Sequence, residues 1–142
     1  MVVVKSLPTK AAAVLAAVAI CNTYSCKKYE EGPAFTLRTK KMRLTGEWEL
    51  DKIILQDGTV YTSYNIEWEF EKDGDFKQTY VYSYYGSSYV STENGDWEWE
   101  DGKENIEIQV GSSVSEYEII RLTNKELIVE DEYSNEYEFE KQ

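Results

Sequence analysis

The chain has 142 residues, 42% hydrophobic and 30% charged, with a net charge of −12 and no histidine. That length suits one domain, and the shortage of Lys and Arg argues against nucleic acid, where affinity rests on neutralised phosphates. Without histidine, His-containing zinc sites, Ser-His-Asp triads and Cys-His dyads are excluded within the chain, so a non-enzymatic protein with no metal and no cofactor is expected.

The acidic surplus reads as a solvated outer surface. Aromatic residues, with 12 Tyr and 4 Trp, compensate for the modest aliphatic content because each ring supplies a large buried area. This balance favours sheets with one wet face over a layered α/β core.

Residues 1–10 carry Lys5 and Lys10, and Ala11 to Ile20 is an unbroken apolar run. A run of that length falls short of the roughly 20 residues a membrane-spanning helix needs, but it matches the core of a secretory signal. Cys21 follows Ile20, too bulky for the position before a cleavage site, whereas Cys26 follows the small Ser25. The tract Thr23-Tyr24-Ser25-Cys26 resembles a bacterial lipobox, with Thr23 and Tyr24 departing from its usual small and aliphatic residues. Residues 1–25 are therefore expected to be a lipoprotein signal peptide and Cys26 to carry the lipid anchor, which would consume the one thiol left after cleavage.

Residues 26–35 contain Gly32-Pro33 and no periodicity, as a tether would. The domain is placed at 36–142. Thr36 is the expected N-cap of a two-turn helix ending near Arg43, with Leu37, Met42 and Leu44 facing inward. Its basic residues suit a helix C-terminus or proximity to anionic lipid.

From Leu44 the pattern changes to a period of two. Trp48 and Leu50 alternate with Glu47, Glu49 and Asp51, and Ile66, Trp68 and Phe70 alternate with Glu67, Glu69 and Glu71. Between them lies the turn Gln56-Asp57-Gly58-Thr59. Lys72-Asp73-Gly74-Asp75 predicts a hairpin into a third strand carrying Phe76, Gln78, Tyr80, Tyr82 and Tyr84 on one face, and Gly86-Ser87-Ser88 turns the chain back. Tyr89 to Glu100 reads as one long strand with a bulge at Asn94-Gly95, pointing Trp97 and Trp99 inward. Ile106, Ile108 and Val110 line the fifth strand. The sixth has conflicting parity, because Tyr117, Ile119 and Arg121 oppose Val114, Ile120 and Leu122, which a bulge or a doubly covered strand would reconcile. Leu127 to Glu130 and Tyr137 to Phe139 complete eight strands. Joined by short turns, they predict an all-β, eight-stranded antiparallel up-and-down barrel, whose closure removes exposed edges, with an open sandwich of the same strands as the alternative.

Gly46-Glu47-Trp48 resembles the Gly-x-Trp signature that opens the first strand of lipocalins. With the short helix before it and the tract Leu122-Thr123 to Glu126-Leu127, the chain is similar to small lipocalin-like (calycin-type) lipoproteins of Gram-negative bacteria. The resemblance implies a structural role for Gly46 and Trp48, with a basic residue packed across Trp48 as a cation-π partner. Lys141 is the position-matched candidate and Arg121, from an earlier strand, the other, and the partner is left open between them. It also implies a bacterial envelope address, as an outer-membrane lipoprotein on the periplasmic or surface side.

The barrel interior is expected to draw on Phe76, Tyr80, Tyr82, Trp97, Ile106, Ile108 and Phe139. Tyr80, Tyr82, Trp97, Trp99 and Arg121 are the candidate ligand-binding residues. The tyrosines suit either a cavity mouth or a cross-strand ladder, and the tryptophans either a stacking site or the core. A small hydrophobic ligand, neutral or cationic, is the expected cargo, and a protein partner bound through the loops or the tyrosine hairpin is the alternative. Glu67, Glu69, Glu98 and Glu100 fall on the outward parity and are not expected to form a glycosidase-type acid/base pair. Asp73-Gly74-Asp75 and Asp131 to Asn135 read as turns, without the spacing of a calcium loop.

Overall fold

The computed structural model describes residues 30–31 and 38–142. The expected signal peptide, Cys26, Thr36, Leu37 and most of the expected tether lie outside the described residues. A single helical turn and a bit more, α1 (Lys40–Leu44), precedes eight strands: β1 (Gly46–Ile54), β2 (Asn65–Phe70), β3 (Asp75–Tyr84), β4 (Ser87–Glu100), β5 (Asn105–Val110), β6 (Ser113–Leu122), β7 (Glu126–Glu130) and β8 (Glu136–Lys141). Each strand pairs antiparallel with the next, and β8 pairs with both β7 and β1. The sheet therefore closes into the expected barrel. Two short strands are added to it. Val60–Tyr61 pairs with β1, and Glu30–Glu31 runs parallel to β6 opposite Arg121 and Leu122.

Alternation explains the core. Trp48, Leu50, Trp68, Phe70, Phe76, Trp97, Ile106, Ile108 and Phe139 are buried, while Glu47, Glu49, Glu67, Lys77, Glu98 and Gln109 between them are exposed. Each fully buried large side chain contributes roughly 1.5–3 kcal/mol before entropy is subtracted. Glu69 faces outward too and pairs with Lys77.

Two bulges set the parity where sequence periodicity breaks. Ile119 lies opposite Val129 and Arg121 opposite Ile128, so Ile120 is the extra residue. Ile119 and Leu122 can then both face the core, and Arg121 is turned outward to pair with Glu126 at 3.1 Å. Asp51 is the extra residue of β1, between Leu50 opposite Phe139 and Lys52 opposite Glu138.

Three local expectations are corrected. The bulge at Asn94-Gly95 is absent, since β3 and β4 stay in register from Asp75 opposite Asp96 to Tyr84 opposite Ser87. Gly95 serves close approach instead, because a Cβ there would sit 2.0 Å from the Gln109 carbonyl oxygen. The β3–β4 turn is Tyr85-Gly86, with φ of 47° and 77°, not Gly86-Ser87-Ser88. Both residues being left-handed matches the tight hairpin type that follows strand twist. The helix is capped by Thr39, whose hydroxyl accepts from Met42 N at 3.2 Å, and Met42 is exposed while Arg43 and Leu44 are buried. Starting three residues later than expected rotates the helix and exchanges Met42 for Arg43 on its inner side.

Candidate functional site

The barrel has unlike ends. At one, α1 and the turns at 71–74, 101–104 and 123–125 close the base. Trp48 Nε1 donates to the Leu44 carbonyl at 2.7 Å, fastening helix to barrel. Lys141 Nζ donates to the Arg43 and Thr45 carbonyls at 2.7 and 2.6 Å and lies 4.7 Å from the centre of the Trp48 ring. Burial, then the positive charge of Arg38, pushes the Lys141 ammonium below its ordinary value. Gly46, at φ 124°, admits this lysine, because a Cβ would come within 2.9 Å of Lys141 Cε. Lys141, not Arg121, is thus the basic partner of Trp48.

At the other end the interior is not filled. A cavity of about 270 Å³ lies above Trp68, walled by Leu50, Ile53, Tyr64, Ile66, Gln78, Tyr80, Tyr117, Tyr137 and Phe139. Tyr64, Ile66 and Tyr80 also border an open depression of about 690 Å³ that continues past Tyr82 and Ser91. The floor is aromatic. The Trp68 ring centre is 4.5 Å from that of Phe139 and 5.2 Å from that of Tyr117. Trp68 is 4% exposed, and its Nε1 has no hydrogen-bond partner.

No charged residue lines this cavity. Behind its wall, Tyr137 donates to Asp131 Oδ2 at 3.0 Å, and Asp131 also accepts from the Tyr133 and Asn135 amides at 2.9 Å. Burial pushes the Asp131 carboxyl up, but the hydrogen bonds from Asn135, Tyr133 and Tyr137 outweigh it and hold the group below its ordinary value. Burial, with Asp131 beside them, raises the Tyr137 and Tyr117 phenols, and burial with Glu93 nearby raises Tyr80. The phenols stay neutral at physiological pH. The site therefore offers apolar walls, neutral hydroxyls and the Gln78 amide.

Of the candidates read from sequence, Tyr80 lines the cavity. Tyr82 borders only the outer depression and stacks on Tyr89, ring centres 5.5 Å apart and planes at 16°, as a cross-strand pair. Trp97 is core, its Nε1 donating to the Glu71 carbonyl at 2.9 Å, and Trp99 packs beside it. Arg121 does not line the cavity, being on the outward side of the β6 bulge. Gln78, Tyr117 and Tyr137 were missed; Gln78 and Tyr137 share parity with the recognised interior residues Phe76 and Phe139, whereas Tyr117 lies on the strand whose parity the sequence left in conflict. Tyr64 sits in a loop and carries no periodic signal. The carboxylates of Glu71, Asp73 and Asp75 lie within 4.8 Å of one another, all exposed, in the turn expected there.

With the closed barrel, the Gly46–Trp48–Lys141 packing and an open-end cavity in place, comparison with known proteins is decisive for family. Residues 44–129 match the model of the lipocalin-like domain. The chain belongs to the lipocalin-like family. A crystal structure of a lipocalin-like protein from Bacteroides uniformis is similar at 19% identity and a TM-score of 0.62, covering 70% of this chain and 99% of that one. A "putative lipoprotein" from Shewanella oneidensis aligns at 11% identity and a TM-score of 0.46, covering 76% of this chain and 98% of that one. No protein in a search of curated sequences matches the chain.

Proposed function

We infer that this lipocalin-like protein is held at the bacterial envelope through Cys26 and takes one small, uncharged, mainly hydrophobic molecule into the open-end cavity. The observation that carries the binding reading is the cavity itself, about 270 Å³ walled by aromatic and aliphatic side chains and uncharged polar groups. Its size is near the lower bound of about 300 Å³ for ligand pockets, and an eight-stranded barrel has room for one small ligand. Anions are disfavoured by the lack of a lining cation and by the acidic surface. The anchoring reading rests on the signal-like run and the lipobox-like tract before Cys26.

The test is native mass spectrometry of protein purified from its own envelope, with titration of the neutral probe N-phenyl-1-naphthylamine. Copurified ligand, or probe fluorescence abolished by Ile66→Trp, supports a carrier. Neither ligand nor probe response would leave the second reading, a protein-binding module. That reading is favoured by the β3–β4 ribbon, where Gln78 to Thr92 contains no charged residue and Tyr84 and Tyr85 are exposed. Tyrosine and serine with glycine make an adaptable contact surface.

A further inference from the structure

We propose that the closed end of the barrel is the face turned toward the lipid surface, so that the cavity mouth and the tyrosine ribbon point away from the membrane. This rests on the anchoring at Cys26 given above and on two features of the folded domain. The first is where the chain joins the barrel. Glu30 and Glu31 lie opposite Arg121 and Leu122, and Leu122 is the last residue of β6 before a closed-end turn. Glu30–Glu31 runs parallel to β6, so the chain enters from the open-end side, but Cys26 is four residues from Glu30 and reaches at most about 14 Å in any direction. From Arg121 back to Ser113, where β6 begins at the open end, the strand covers about 26 Å, and the ribbon rises further. A mouth-down posture would ask the anchor to span about twice its reach.

The second feature is charge. The closed-end segments 38–45, 71–74, 101–104 and 123–125 carry seven basic and four acidic residues, whereas the open-end segments 55–64, 85–86, 111–112 and 131–135 carry three acidic residues and no basic one. In a chain of net charge −12 the base of the barrel is thus its positive pole. Arg38, Lys41, Lys72, Lys103 and Lys125 are exposed there. Anchor reach alone would let the barrel lie on its side. That posture would press outward carboxylates such as Glu49, Glu67 and Glu98 onto anionic headgroups, while the upright one offers them cations. The attraction acts within a Debye length, so it orients a domain already tethered close to the surface. The cavity then exchanges its ligand with the aqueous side or with a partner, not with the bilayer beneath.

The test uses the lipidated chain in phosphatidylcholine–phosphatidylglycerol vesicles bearing brominated acyl chains. Single thiols at Lys125→Cys and Ser88→Cys carry an environment-sensitive fluorophore. Ser88 is near the ribbon tip, and from there β4 runs about 40 Å down to Glu100 at the closed end. The label at 125 should be quenched several-fold more than the label at 88, and the charge reversal Lys72→Glu/Lys103→Glu should lower the quenching at 125 about twofold. Equal quenching at both positions, or stronger quenching at 88, overturns the orientation while leaving the anchor intact. A chain with Cys26 present that stays out of the membrane fraction overturns the anchor and the orientation together.

Discussion

The two ends of this barrel are built from the same strands and solve different problems. At the closed end, aromatic rings, α1 and Lys141 occupy the space, and the indole N–H groups of Trp48 and Trp97 each meet a backbone carbonyl. At the open end the side chains that continue the same inward parity are Tyr, Gln and Ile, and they leave a cavity above Trp68. Packing is therefore dense below, and open space lies above.

That contrast can be broken by substitution, and the largest effects should lie at the base. Trp48→Ala removes a fully buried ring, the bond to Leu44 and the platform under Lys141, so a loss of about 3–5 kcal/mol is expected in urea denaturation. Gly95→Ala drives a Cβ into the Gln109 carbonyl. It should cost about 1–3 kcal/mol, and a neutral result would mean that β4 and β5 separate freely there.

Changes at the open end should cost less and should show up in pH dependence. Asp131→Asn weakens the acceptor for Tyr137 and the 131–135 loop, with about 1–2 kcal/mol lost at neutral pH. Since the folded Asp131 pKa lies below 3.8, its contribution is present above that value and disappears as pH falls through the lower, folded pKa. Acid titration of stability should therefore be shallower in the variant. At alkaline pH the sign reverses. The raised phenols of Tyr117 and Tyr137 remain protonated in the folded state while unfolded tyrosine ionises near 10, so stability falls above that pH. Tyr137→Phe should reduce the fall. The smallest effect belongs to Tyr82→Ala on the exposed ribbon, within about 0.5 kcal/mol of wild type. A much larger loss in thermal melts would show that the ribbon contributes to the fold.

The fold was legible because one physical signal repeats through the chain: apolar residues at period two, flanked by turns, with too little helix to build anything but a closed sheet. Gly46 and Trp48 could be placed through the resemblance of Gly46-Glu47-Trp48 to the Gly-x-Trp signature, whereas the choice of Lys141 over Arg121 as the basic partner needed the structure. The candidate site was legible only in part. Tyr80 follows the alternation of β3, but Trp97 and Trp99 share that inward parity and lie in the closed-end core. Parity tells which way a side chain points and not how high in the barrel it stands.

By itself, then, the sequence determined the strand count, the inward face of most strands, the acidic exterior and the Gly46–Trp48 corner, because these depend on neighbours a few residues apart. Tertiary structure decided what depends on register between distant strands. The bulge at Ile120 turns Arg121 out and Leu122 in, and the pairing of β3 with β4 makes Gly95 a point of contact with Gln109 and not a bulge. The cavity arises where Tyr117, Tyr137, Gln78 and Tyr64, drawn from separate parts of the chain, meet above Trp68. Register is set by the sum of many cross-strand contacts and by closure of the sheet, and no short stretch of sequence carries it.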